Sequence, residues 1–256
     1  MSPEFGDDGL DASRAPLLDH LIELRRRLIW SFASLFLAFL ACYYFAEQIF
    51  AFLVQPLLRA GQGKLIYTDV FEAFFAKVKV AFFAACMLSF PIVANQVWRF
   101  VAPGLYAKEK RALRPFLVLT PVLFLSGAAL AYFIAMPLAL KFLLGFQGNV
   151  GGIQQEALPA IGNYLSFVTK FLFGFGVAFL LPVLLMLMER AGIVTRAQLV
   201  KSRRYAIVGV TAIAAVLSPP DLVSMMLLAV PLVLLYELAL IAIWFTERGR
   251  AREAAV

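Results

Sequence analysis

Few residues in this chain could carry out covalent chemistry. A nucleophile would need a base or a metal cluster at usable spacing, yet the sole histidine is His20, in a polar N-terminal stretch. No catalytic residue, metal or cofactor is therefore expected. Cys42 and Cys86 both lie inside apolar blocks, where a thiol acts as a small hydrophobe and no disulfide framework is implied. An ion-coupled transporter should place ionisable groups near the centre of a bilayer, where they are expensive and usually functional. Only Lys170 and Glu237 fall inside the apolar blocks. Lys170 sits about six residues from one end of its block and can snorkel to the interface. Glu237 follows Asp221 by about sixteen residues, roughly 24 Å along a helix, which puts it near the far end.

The informative polar groups lie outside those blocks. The segment His20-Leu21-Ile22-Glu23-Leu24-Arg25-Arg26-Arg27 opens the first block, with Glu23 and Arg27 spaced i,i+4 as a helix-stabilising pair. A second segment, Trp98-Arg99-Phe100-Val101-Ala102-Pro103-Gly104-Leu105-Tyr106-Ala107-Lys108-Glu109-Lys110-Arg111, combines aromatics, a Pro-Gly turn and one acid among bases. Arginines that hold a terminus inside, and aromatics at a membrane interface, explain most of both segments. Glu109 resists that explanation, because an isolated acid adds nothing to topology, and it suits a cationic partner.

The elements that must position these residues are membrane spans. Sixty-two per cent of the 256 residues are hydrophobic and 15 % charged, against about 45–50 % and about 25 % in soluble domains. The apolar residues gather in blocks near the roughly 20-residue length that crosses about 30 Å of hydrocarbon. Six spans are expected, near Leu28–Phe45, Val80–Trp98, Pro115–Pro137, Tyr164–Met188, Ala206–Leu217 and Leu222–Phe245. The fifth is short and joins the sixth through Ser218-Pro219-Pro220-Asp221, a helix stop followed by an Asp able to cap the next start. The N-tail, the second and fourth loops and the C-tail carry 17 Lys and Arg, the odd-numbered loops only three. Positive residues accumulate in cytoplasmic loops, so both termini are expected inside. Residues 1–27 and 246–256 then form cytoplasmic tails of one six-span domain over 1–256. The first 27 residues lack the layout of a cleaved signal peptide. The net charge of +7 comes with no recognition fold, so no nucleic acid is expected. Prolines 91, 121, 137, 182 and 231 should bend the spans, and Phe173-Gly174-Phe175-Gly176 should permit close helix approach.

Taken together, HLIELRRRL from His20, Tyr67-Thr68-Asp69, FVAPGLYAKEKR from Phe100 and the SPPD turn at Ser218 closely resemble the TatC family, the multi-span receptor for twin-arginine signal peptides on folded cargo. The resemblance covers nearly the whole chain. It implies an all-α, concave, glove-like bundle in the bacterial inner membrane, with short fifth and sixth helices. It implies signal-peptide binding by Glu23, Arg25, Phe100, Pro103, Tyr106 and Glu109, and structural roles for Pro56, Asp69 and Asp221. Partners would be single-span TatA/TatB-type subunits packed on the last two spans, further copies of the chain and membrane lipid, with transport drawing on the proton gradient. Guanidinium–carboxylate pairs are charge-assisted and often bidentate, which separates Arg from Lys. Two positions depart from the family. Leu180 stands where members usually carry Glu or Gln before the proline of span four, and Met225 where they usually carry Gln after the turn. With Ser218, these would contact partner helices, and both natural divergence and deliberate exchange produce such a pattern. A small-solute secondary transporter and an intramembrane enzyme are the competing classes.

Overall fold

The computed structural model describes residues 8–101, 114–218 and 222–253. Pro103, Tyr106, Glu109, Asp221 and the side chain of His20 lie outside the described residues. In chain order the helices are α1 (Asp8–Tyr44), α2 (Ala46–Arg59), α3 (Glu72–Val101), α4 (Arg114–Leu130), α5 (Met136–Leu144), α6 (Ile161–Ala178), α7 (Leu181–Arg190), α8 (Arg196–Lys201), α9 (Arg203–Leu217) and α10 (Leu222–Glu253). A π-helical turn, Ala131–Ala135, joins α4 to α5. A hairpin, β1 (Gly148–Val150) and β2 (Ile153–Gln155), pairs antiparallel with Val150 opposite Ile153. Its two-residue turn needs positive φ at both positions, and Gly151 and Gly152 supply 62° and 88°.

Five stretches are long and apolar enough to cross a membrane: Leu21–Tyr44, Glu72–Phe100, Phe116–Leu144, Ile161–Arg190 and Leu222–Arg248. The short fifth helix is α9, whose 15 residues reach about 22 Å. The expectation of a short sixth helix is corrected, because α10 runs for 32 residues. The SPPD stop limits α9 from one side only. Beyond it nothing interrupts the apolar run except Pro231, which α10 accommodates internally. The first helix also starts earlier than its apolar block, at Asp8, and the polar stretch from Leu17 to Arg27 holds neither glycine nor proline that would stop it.

The chain turns these helices into two ends. At one end, here the basic end, lie the start of α1, the close of α3, the start of α4 and the stretch from the close of α7 to the start of α9. At the other, the hairpin end, lie α2, the start of α3 and the start of α6. The main core joins α2, α3, α6 and α10 through Leu53, Val80, Leu165, Phe171, Phe175, Leu228 and Leu232. Glycines set the closest approaches. A Cβ on Gly176 would stand 2.7 Å from the Phe124 ring, one on Gly174 2.9 Å from Leu217, and one on Gly127 2.7 Å from the Phe175 carbonyl oxygen. The glycines of span four thus admit α4 and α9, as their spacing predicts. Cys42 is buried, Cys86 half-buried, and both are free thiols.

An apolar groove of about 580 Å³ opens between α1, α2, α3 and the α4–α5 span, with Cys42, Phe52, Met87, Pro91, Leu125 and Tyr132 among its walls. It gives the bundle a hollowed side.

Candidate functional site

Helix α1 carries Glu23, Arg26, Arg27 and Trp30 on one face because the spacings 0, 3, 4 and 7 complete two turns. Helix α3 runs antiparallel beside it. The result is a hollow of about 450 Å³ at the basic end, lined by those four residues and by Gln96 and Arg99. Within it the Arg27 Nε donates to Glu23 Oε1 at 3.0 Å, and Arg27 Nη2 donates to the same oxygen. The Glu23 side chain is 32 % exposed, so it remains reachable from solution. The expected i,i+4 pair is therefore present. Ser31 Oγ donates to the Arg27 carbonyl at 3.0 Å, within the same helix face.

Sequence reasoning picked out Glu23 but not Trp30 or Gln96, and counted Arg26 and Arg99 only for topology. A helical-face reading from Glu23 would have found Arg26 and Trp30. Nothing local signals Gln96, which joins through the antiparallel pairing of α1 and α3. Arg25 is exposed and lies on another side of α1, two residues and about 200° from Glu23. Phe100 is half-buried, directly after Arg99.

Both stems of the loop that follows α3 are pinned. Trp98 Nε1 donates to Thr120 Oγ1 at 2.8 Å, and Thr120 Oγ1 donates to the Phe116 carbonyl at 2.7 Å. The Trp98 and Phe116 rings stack with centroids 5.7 Å apart, and the Arg190 guanidinium lies 4.9 Å from the Phe116 centroid. This cluster joins the ends of α3, α4 and α7 and sets where the chain leaves and re-enters the bundle. Farther round, Tyr236 Oη donates to the Leu199 carbonyl at 2.8 Å, and Arg203 pairs with Glu237 at 2.9 Å. Glu237 thus sits at the basic end, as its distance from Asp221 predicts.

The residues expected to meet partner helices are apart from this hollow. Leu180 is half-buried in the break between α6 and α7, where Pro182 in the first turn of α7 cannot donate a backbone bond. Met225 is half-buried against the main core. Ser218 is buried at the close of α9, and its Oγ has no hydrogen-bond partner among the described residues.

Two of the structural positions are at the hairpin end. Asp69 Oδ1 accepts from the Phe71 N–H at 2.8 Å, and its carbonyl accepts from Glu72 N at 3.2 Å, which starts α3. Pro56 is buried inside α2, and its missing N–H frees the carbonyl of Phe52, four residues back. Tyr132 Oη, from the π-helical turn, donates to that carbonyl at 2.7 Å. Tyr164 Oη donates to the neighbouring Leu53 carbonyl at 2.8 Å. Neither tyrosine was foreseen. The Glu72 carboxylate accepts from Thr68 N at 2.5 Å, Thr68 Oγ1 at 2.9 Å and Gly162 N at 2.5 Å, tying the start of α3 to the start of α6.

Comparison with known proteins adds a family to this geometry. The family model described as "TatC: Sec-independent protein translocase protein (TatC)" matches residues 19–231. A protein of Magnetococcus marinus called "Sec-independent protein translocase protein TatC" is 47 % identical over 244 residues, covering 94 % of this chain and 89 % of its own length. A protein of Escherichia coli O6:H1 with the same name is 39 % identical, covering 93 % of this chain and 92 % of its own. The solved structure "Crystal Structure of Twin Arginine Translocase Receptor- TatC" superposes with a TM-score of 0.73 at 38 % identity, over 88 % of this chain and 98 % of that one.

Proposed function

The chain belongs to the TatC family of Sec-independent protein translocase proteins, and from that premise we propose that its basic end faces the cytoplasm and receives signal peptides bearing two consecutive arginines. The observation that carries this reading is the reachable Glu23 carboxylate in the 450 Å³ hollow, already accepting a guanidinium from Arg27. A carboxylate placed to accept charge-assisted bonds from a planar fork discriminates arginine from lysine. An incoming guanidinium shares or displaces Arg27 there. Glu109 supplies the second negative group, while Arg25, Phe100, Pro103 and Tyr106 shape the surface. Trp30 adds a ring over which a cation can lie.

In this reading the protein spans the bacterial inner membrane as one domain with both termini in the cytoplasm, in accord with its lysine and arginine distribution. It binds and organises rather than catalyses. Single-span TatA/TatB-type subunits pack near α9 and α10, with Leu180, Ser218 and Met225 close to the contact, and several copies assemble in a translocase driven by the proton gradient. Leu180 and Met225 lack the hydrogen-bonding groups that polar residues would offer there, each worth about 0.6 kcal/mol in a bilayer. The named roles of the relatives give the small-solute transporter no support.

Photocrosslinking tests the assignment. A photoreactive residue at Trp30 or Gln96 should capture an Arg-Arg signal peptide added from the cytoplasmic side, and one at Gln62 should not. Capture at Gln62 alone would reverse the orientation and remove the site from the basic end.

A further inference from the structure

Two lysines at the hairpin end have no role in the proposed receptor site. Glu72 and Gly162 touch, so α3 and α6 start side by side and run in the same direction. Lys79 follows Glu72 by seven residues, about 10 Å along α3, and Lys170 follows Gly162 by eight, about 12 Å along α6. Side chains on helices lean toward the N-terminus, so both lysines point back toward the same membrane surface. Lys79 reaches Ser166, its Nζ donating to Oγ at 2.8 Å, while Ser166 Oγ donates to the Gly162 carbonyl at 2.6 Å. Lys170 lies one turn beyond Ser166 on the same face of α6. Two lysines therefore stand along one seam.

Two acids at this end are committed elsewhere. Glu47 pairs with Lys77 at 3.1 Å, and Glu72 is engaged by Thr68 and Gly162. Neither Lys79 nor Lys170 forms an ion pair among the described residues, and both are exposed. Exposed Phe75 and Phe82 stand on the same side of α3 as Lys79, and exposed Phe173 stands one turn past Lys170. A pair of cations at interfacial depth, above apolar rings, fits an anionic head with hydrocarbon tails. We propose that Lys79, steadied by Ser166, and Lys170 bind the phosphodiester of an anionic phospholipid in the leaflet opposite the signal-peptide site. Lys79 keeps two N–H donors after its bond to Ser166, and Lys170 has three. A carboxylate on a transmembrane partner helix would have to enter the same seam without the negative headgroup that lies at this level in every anionic lipid.

Native mass spectrometry of the full chain in mild detergent tests this, with phosphatidylglycerol and phosphatidylcholine of identical acyl chains added in turn. The Lys79→Gln/Lys170→Gln variant should hold phosphatidylglycerol roughly ten- to thirty-fold more weakly than the original, given the usual contribution of a lysine near an anionic surface. The Lys79→Arg/Lys170→Arg variant should retain it and show that the fold tolerates change here. Phosphatidylcholine should bind all three alike, and glycerol phosphate should not displace the lipid. Equal phosphatidylglycerol binding by the original and the Gln variant would overturn the proposal. So would displacement by glycerol phosphate, which marks a free-phosphate site. Unchanged lipid binding with reduced recovery of single-span subunits would also overturn it and give the lysines to a protein carboxylate.

Discussion

The two ends of this bundle are built on different principles. At the hairpin end, polar side chains are committed to the fold: Tyr132 and Tyr164 donate to α2 carbonyls, Glu72 gathers three donors, and Gln62 donates to the Ala157 carbonyl. Most of these bonds span distant parts of the chain and fix a loop or short helix against a long one. At the mouth of α1 and α3 on the basic end, the bonds between Glu23 and Arg27 lie within one helix, and the charges face a hollow. One layer away, long-range bonds from Trp98 and Tyr236 brace the helix ends. A receptor needs this division. In the proposed function one end holds its shape so that the other can exchange an internal guanidinium for a ligand's.

Substitutions should separate the ends accordingly. The largest effect is expected for Gly127→Leu, whose Cβ would press within 2.7 Å of the Phe175 backbone oxygen, an atom that cannot rotate away. Overpacking of this kind typically costs about 1–3 kcal/mol, and thermal unfolding in detergent should report it. An unchanged midpoint would mean that α4 and α6 are less tightly apposed than the geometry states. Next comes Tyr164→Phe, which removes a second donor from the Leu53 carbonyl, still bonded within α2, and should destabilise by about 0.5–1.5 kcal/mol while leaving signal-peptide affinity unaltered. A loss of peptide binding at equal stability would merge the two ends that the bonds keep apart.

An effect of similar size sharpens the account of Pro56. Tyr132→Phe should cost about 1 kcal/mol alone, yet clearly less when Pro56→Ala is present, since the backbone N–H restored by that exchange can then serve the Phe52 carbonyl. A double-mutant cycle by denaturant or heat would read this coupling. Strict additivity would show that the tyrosine hydroxyl is not compensating for the proline.

The long spans were legible because membrane insertion writes itself into long apolar blocks, but some of their ends were not: the span expected from Val80 begins at Glu72, and the one expected to stop at Pro137 runs to Leu144. The short α9 was equally plain from the SPPD stop. The length of α10 was misjudged through the resemblance, although the apolar run from Leu222 onward already argued for a full span. The π-helical turn and the two tyrosine donors were invisible, because the hydroxyls of Tyr132 and Tyr164 find their carbonyls in α2, 80 and 111 positions away. In the candidate site Glu23 was legible as an acid among arginines. Gln96 was not, since only the antiparallel pairing of α1 with α3 brings it to the hollow.

The central claim, that Glu23 reads guanidinium, is tested most directly by the affinity of the purified protein for an Arg-Arg signal peptide and for its Lys-Lys counterpart, each measured with the original chain and with Glu23→Gln. Exposed pairs are worth about 0.2–1 kcal/mol and desolvated ones about 2–5 kcal/mol, so a half-exposed carboxylate should shift Arg-Arg binding by roughly five- to thirty-fold. The account predicts that the original chain prefers Arg-Arg and that Glu23→Gln loses most of that preference while still inserting normally. Equal affinity of both chains for the Arg-Arg peptide would contradict it.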